Sequence, residues 1–166
     1  MGRVVNAGEL PRIHAVLAAA GKRVVLTNGY FDLMHVGHTR YLQRARELGD
    51  ALVVGVNQDA TARRRKDPRR PILPAAERAE LLAALACVDY VVVFEEDTAA
   101  SLVNLLRPDV YAKGGDYGPG GAELPEAAAV SACGGRVVIL PFETGHSTTG
   151  IIETILQRYA APSNEQ

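Results

Sequence analysis

Apolar residues fall along this chain in two alternating rhythms. Short continuous runs rich in β-branched residues occur at RVVLTN (23–28), ALVVGVN (51–57), YVVVF (90–94), DVYAKG (109–114) and RVVIL (136–140). Runs of this kind suit strands buried on both faces, as in a parallel sheet. Between them the period changes to that of a helix, as at Tyr41, Leu42, Ala45 and Leu48, and again at Leu81, Leu82 and Leu85. Further helices are expected near 9–20, 98–106, 123–132 and 147–160. Strand–helix–strand alternation implies right-handed crossovers and a doubly wound α/β sheet of about five strands, with helices on both faces. Ligands in that architecture bind beyond the carboxyl ends of the strands, near a switch in strand order. Four chemically conspicuous stretches follow predicted strands: NGYFDLMHVGH, NQDATARRRK, KGGDY and FETGHSTT. Their convergence on one edge of the sheet predicts a single site.

Composition narrows the class without changing that picture. At 166 residues the chain is expected to be one domain over 1–166, with 161–166 a frayed tail. Hydrophobic residues make up 48% and charged residues 22%, ordinary for a globular protein. No apolar run reaches the roughly 20 residues that span a bilayer, and MGRVVNAGELPR lacks the apolar core of a secretory signal. Cys87 and Cys133 form no CxxC pair, so a cytoplasmic location without disulfides is expected. The net charge of −1 says little, but six of the 18 basic residues fall in RRRKDPRR, Arg63 to Arg70.

The histidine pair carries the chemistry. His35 precedes a predicted helix, His38 lies in its first turn, and Gly37 stands between them. Helix N-termini offer unpaired N–H groups and partial positive charge, which suits a phosphate. Imidazoles there donate to phosphate oxygens, most strongly when protonated. Gly37 lets a bulky ligand approach the backbone. Together these groups fit stabilisation of charge on a transferring phosphorus. A capping role for either histidine competes with this, as does a zinc site, although no third ligand lies at zinc spacing nearby.

The remaining stretches admit plain readings too. RRRKDPRR is either a solvated basic loop or a counter-charge for a triphosphate and its leaving pyrophosphate. A nucleic-acid-binding reading lacks a companion motif and stacking aromatics. Gly114 and Gly115 satisfy a tight turn, while Lys113 and Asp116 beside them point to a pocket. Ser147 is a natural N-cap, and its hydroxyl with those of Thr148 and Thr149 would form a phosphate clamp after Gly145.

TNGYFDLMHVGHTRYL resembles the HxGH motif of the nucleotidyltransferase superfamily. With RRPILPAAERAELLAALACVDYVVVFEEDT, RPDVYAKGGDY and GGRVVILPFETGHSTTGII in the same order, the chain resembles the adenylyltransferases of ADP-heptose synthesis over about residues 8–157. The resemblance implies a Rossmann-like fold and a unit that elsewhere is joined to a sugar kinase, here expected to stand alone. It implies that His35, His38 and Lys66 stabilise the transition state. The backbone of Thr27, Asn28, Gly29, Tyr30 and Phe31 would cradle the nucleotide, helped by Gly37, Lys113, Gly114, Gly145, Ser147, Thr148 and Thr149. Asp32 would orient a histidine or bind the second substrate, unless it is a turn acid. Asn57, Arg63 and Asp116 are assigned with it to the sugar phosphate, with Arg64 a further basic candidate. In glycerol-3-phosphate cytidylyltransferases an arginine and a threonine stand where this chain has Phe142 and Glu143.

The expected reaction is ATP plus a heptose 1-phosphate, D-glycero-D-manno-heptose 1-phosphate, giving ADP-heptose and pyrophosphate. The alternative is a cytidylyltransferase using CTP with glycerol 3-phosphate or another sugar phosphate. A nucleotide sensor without turnover and a nucleic-acid-binding module are the rival classes. Mg²⁺ would be carried by the substrate phosphates rather than by a protein cage. The expected partners are these small molecules and a second copy of the chain, with no nucleic acid and no membrane.

Overall fold

The computed structural model describes residues 1–115, 121, 123–141 and 145–160. Its sheet has six strands, all parallel: β1 (Arg3–Val5), β2 (Val24–Gly29), β3 (Ala51–Asn57), β4 (Tyr90–Phe94), β5 (Val110–Gly114) and β6 (Arg136–Leu140). The five expected strands are there, within a residue at either end. The sixth, β1, is an edge strand of three residues, too short to show a period. The described helices are α1 (Leu10–Ala19), α2 (Val36–Arg46), α3 (Asp59–Arg65), α4 (Ala75–Ala83), α5 (Ala100–Leu106), α6 (Ala127–Ala132) and α7 (Thr148–Tyr159).

Alternate residues of the strands feed two separate cores. On one face Val25, Leu52, Val54, Val56, Val91 and Val110 pack with Leu42 and Ala45 of α2 and with Ala79 and Leu82 of α4. On the other, Val24, Leu26, Val53, Val92 and Tyr111 pack with Leu10 of α1, Leu102, Val103 and Leu106 of α5, and Val130 of α6. Burial on both sides explains why the strands read as continuous apolar runs.

The strand order is β1-β4-β3-β2-β5-β6. From β2 the chain builds outward through β3 and β4, then returns to place β5 on the other side of β2. The switch point therefore lies between β2 and β5, and their carboxyl ends carry Asn28, Gly29, Lys113 and Gly114. A crevice opens at such a point because the connections leave in opposite directions.

The basic run departs from expectation. Arg63, Arg64 and Arg65 complete α3 rather than a loop, and Lys66 is its C-cap. Asp97 pairs with Arg64 and, at 3.8 Å, with Arg65, while Asp67 pairs with Arg69 at 2.9 Å. Local carboxylates thus relieve much of the repulsion that the sequence implies.

Candidate functional site

A cavity of about 430 Å³ lies at the switch point, the size expected for one nucleotide-sized ligand. Its wall is formed by the end of β2 and the following loop, the start of α2, the end of α3, the end of β5 and the start of α7. The site is cationic through Lys66, Arg70 and Lys113, with His35, His38 and His146 beside them, and among the described residues Asp32 is the one acid that lines it.

His35 is the N-cap residue of α2, in extended backbone, and His38 lies one turn in. Their rings stack with centroids 3.9 Å apart and planes 21° from parallel, and Phe31 meets His38 edge-on at 5.5 Å. A Cβ on Gly37 would stand 2.9 Å from His35 Nδ1 and 3.2 Å from the His146 Cβ, so glycine is needed for the rings to close over the helix start. Burial lowers both imidazole pKa values. His35 is pushed down further by His146; His38 falls to about 4, with His35 adding to burial and Asp32 opposing it. The expectation is that the imidazoles donate most strongly when protonated; in the ligand-free protein these shifts favour the neutral rings. The Nδ1 atoms of both are buried and unpaired among the described residues. Such orphaned polar atoms are costly without a ligand.

The loop after β2 is strained where it meets the histidines. Phe31 (φ 49°) and Leu33 (φ 45°) sit in the left-handed region, which costs a non-glycine residue on the order of 1 kcal/mol or more. Asn28 Oδ1 accepts from Tyr111 Oη at 2.5 Å and Lys113 Nζ at 2.8 Å, tying the ends of β2 and β5 together. Burial lowers the Lys113 pKa against the opposing pull of Glu126, and Lys66 lowers it further. Lys66 Nζ lies 5.5 Å from the centre of the Tyr30 ring, holding the loop lysine over the cavity. Ser147 caps α7 by accepting from Gly150 N at 3.0 Å, and Thr148 Oγ1 donates to the Asp32 carbonyl at 2.7 Å.

Most expected site residues converge: Asn28, Gly29, Tyr30, Phe31, Asp32, His35, Gly37, His38, Lys66, Lys113, Gly114, Ser147, Thr148 and Thr149 line this cavity. Others do not. Thr27 is fully buried and bonds Tyr41 Oη at 2.6 Å, so it supports the floor. Asn57 is buried behind the wall and lends its carbonyl to Arg78. Arg63 lies on α3 away from the lining, and Gly145 borders an adjoining groove along α7 that shares His35, His146 and Ser147. Asp116, Phe142, Glu143 and the tail 161–166 lie outside the described residues. Asp32 neither caps a turn of its own nor bonds a histidine. Its carboxylate accepts from Arg70 and from the backbone N–H groups of Ile72 and Leu73.

Four residues at the site were not singled out individually in the sequence, although Arg70 belongs to the basic run and His146 to the GHSTT stretch. Tyr41 donates to the Ala112 carbonyl at 3.1 Å and lies under Gly114, where an added Cβ would stand 3.3 Å from the ring. Arg70 and His146 line the cavity directly. Arg78 is wholly buried and donates to the carbonyls of Tyr30, Asn57 and Leu73 and to the Asp59 carboxylate. It locks the loop after β2 to the end of β3 and the start of α3. A lone arginine before an apolar helical stripe was the only signal it gave.

No group of three His, Cys, Asp or Glu side chains that could hold a metal occurs among the described residues. Asp32, the one acid in the lining, is already committed to three donors. These residues do not fit a protein-held Mg²⁺. Among the described residues no helix is long and apolar enough to cross a membrane.

Comparison with known proteins agrees with the geometry. A family described as cytidylyltransferase-like matches residues 26–153. The Bifunctional protein HldE of Trichlorobacter lovleyi is 50% identical over 157 residues, covering 95% of this chain and 32% of the relative. The protein of the same name from Geobacter sulfurreducens is 54% identical with the same coverage. The chain spans about a third of the length of these curated relatives. A lipopolysaccharide core biosynthesis protein from Thermoplasma volcanium, known from its crystal structure, shares 32% identity at a TM-score of 0.61, covering 74% of this chain and 98% of that one.

Proposed function

The chain belongs to the cytidylyltransferase-like family, and from that premise we propose that it is an adenylyltransferase joining ATP to a heptose 1-phosphate. The observation that carries the reading is the stacked His35–His38 pair at the start of α2, facing a cationic cavity at the β2/β5 switch point. The similarity to HldE proteins and to a lipopolysaccharide core biosynthesis protein, together with the KGGDY and GHSTT stretches, supports a heptose as the sugar.

A phosphate oxygen of the sugar 1-phosphate attacks the α-phosphorus of ATP. The bond from that phosphorus to the oxygen bridging α and β breaks, and pyrophosphate leaves with the bonding pair. No enzyme-bound intermediate is required, so the protein contributes position and charge. His35 and His38 donate N–H groups to the oxygens where charge accumulates. An arriving polyanion favours their charged forms and strengthens those bonds. Lys66, on its loop, follows the leaving pyrophosphate. The Ser147 and Thr149 hydroxyls, with the unpaired N–H groups at the start of α7, hold phosphate oxygens, while the Thr148 hydroxyl ties that start to the Asp32 carbonyl. Lys113, anchored by Asn28, faces the nucleotide side of the same cavity. Mg²⁺ accompanies ATP as its counter-ion.

The alternative, CTP with glycerol 3-phosphate, is favoured by the family description alone. We place the protein in the cytoplasm as a homodimer without nucleic acid, a state that light scattering checks. The activity itself is tested by a pyrophosphate-release screen of four nucleotides against several sugar 1-phosphates. Release only when ATP and a heptose 1-phosphate are both present supports the assignment, and no release from any pair removes it.

A further inference from the structure

The basic run lines the cavity with Lys66 and Arg70, and the two are held very differently. Lys66 follows α3 on an exposed side chain. The Arg70 side chain is 20% exposed, and its Nη1 lies 3.0 Å from Oδ2 of Asp32, itself 6% exposed. The Asp32 carboxylate also accepts from Ile72 N at 2.9 Å and Leu73 N at 3.1 Å. The Asp32 carbonyl takes the Thr148 hydroxyl. The acid therefore fixes the backbone just after Arg70, the guanidinium itself and the start of α7 in one arrangement. Among the described residues this ion pair occupies Arg70 through Nη1, and a guanidinium carries five N–H donors in a planar fork.

We propose that Arg70, held by Asp32 as its positioning residue, binds the phosphate of the acceptor sugar. This rests on the adenylyl-transfer reading and extends it to a residue and a substrate. In-line transfer brings two polyanions to the α-phosphorus, the incoming phosphate and the departing pyrophosphate, and each needs its own cation. An exposed lysine at a helix end suits the group that must leave. A planar fork suits a terminal phosphate, whose oxygens accept two parallel N–H bonds. A rigid mount also holds the nucleophile at attacking distance, where small displacements are expensive. Asn57 and Arg63 do not reach the cavity, which leaves Arg70 as the arginine able to take this role.

Steady-state kinetics on the whole protein with both substrates varied decides it. Arg70→Gln should raise KM for the sugar 1-phosphate about tenfold or more, the scale of losing a charge-assisted hydrogen bond, and leave KM for ATP within about twofold. Arg70→Lys should recover part of the loss, because it keeps the charge without the fork. Asp32→Asn should raise the same KM, and adding it to Arg70→Gln should bring little more, since the two act as one unit. Arg69→Gln, the same charge change at a residue 88% exposed, should alter neither constant. An unchanged acceptor KM in Arg70→Gln, or a rise confined to ATP, overturns the assignment. If the wild type showed no turnover, the transfer reading itself would be at fault. Calorimetric titration with the sugar 1-phosphate then decides: binding lost in Arg70→Gln supports the inference, and equal binding overturns it.

Discussion

The rings of His35 and His38 lie face to face 3.9 Å apart, each with its Nδ1 buried and unpaired among the described residues. Two neutral imidazoles stacked at a helix start form a poor core and a good anion receptor. Replacing either by alanine should lower kcat on the order of 10²–10³, the usual scale for one lost donor to a transition state. Circular dichroism should remain that of the wild type, since neither ring belongs to the two cores. Near-normal kcat in both variants would contradict the role assigned to the pair.

The same pair should make the free protein acid-sensitive. An unfolded histidine takes its proton near pH 6.5, whereas folded His38 waits until about 4. Between those values the unfolded chain binds more protons, so stability is complete above the upper value and declines as pH falls toward the lower. His35 shifts in the same direction. Thermal melts from pH 7.5 down to 5 should therefore show a falling Tm that His38→Asn flattens. Saturating ATP should shrink the fall, because a bound polyanion favours the charged ring. A pH slope identical in wild type and His38→Asn would contradict this.

Gly37→Ala should injure the site more than the fold. The added methyl would stand 2.9 Å from His35 Nδ1 and 3.2 Å from His146 Cβ, so one of those side chains must move. Turnover should fall at least about tenfold, because small misplacements of catalytic groups are costly. The urea midpoint should change little. A large loss of stability with unchanged kcat would mean that the glycine serves packing alone.

How much of this was readable beforehand depended on which forces write themselves locally. The strands from β2 to β6 showed because burial on both faces demands continuous β-branched runs, and the histidine pair showed because helix starts after strands are recognisable. β1 was invisible because three residues have no period. α3 was misread because a run of arginines looks solvated. Its order comes from Asp97, more than thirty residues away, and from the Asp59–Arg78 pair. Asp32 was ambiguous for the same reason, since its donors come from 70–73. Residues that act through distant partners leave no local trace.

Arg78 should be the most costly of these to lose. With no exposure and four acceptors around it, Arg78→Met strands the Asp59 carboxylate and three carbonyls. A loss of about 3 kcal/mol is expected, from buried carbonyls left unpaired at about 1–3 kcal/mol each, while Asp59, 28% exposed, loses less than a buried charge would. Urea unfolding monitored by fluorescence or circular dichroism measures it. A loss under about 1 kcal/mol would contradict the locking role.

The central claim is the transfer of an adenylyl group to a heptose phosphate, and its most direct test is a comparison of kcat/KM between substrate pairs. ATP with D-glycero-D-manno-heptose 1-phosphate is set against CTP with the same sugar and against CTP with glycerol 3-phosphate. The expected result is a preference of about tenfold or more for ATP with the heptose, since one unpaired buried group in the wrong base pocket costs about 1–3 kcal/mol. A clear preference for CTP with glycerol 3-phosphate would contradict it.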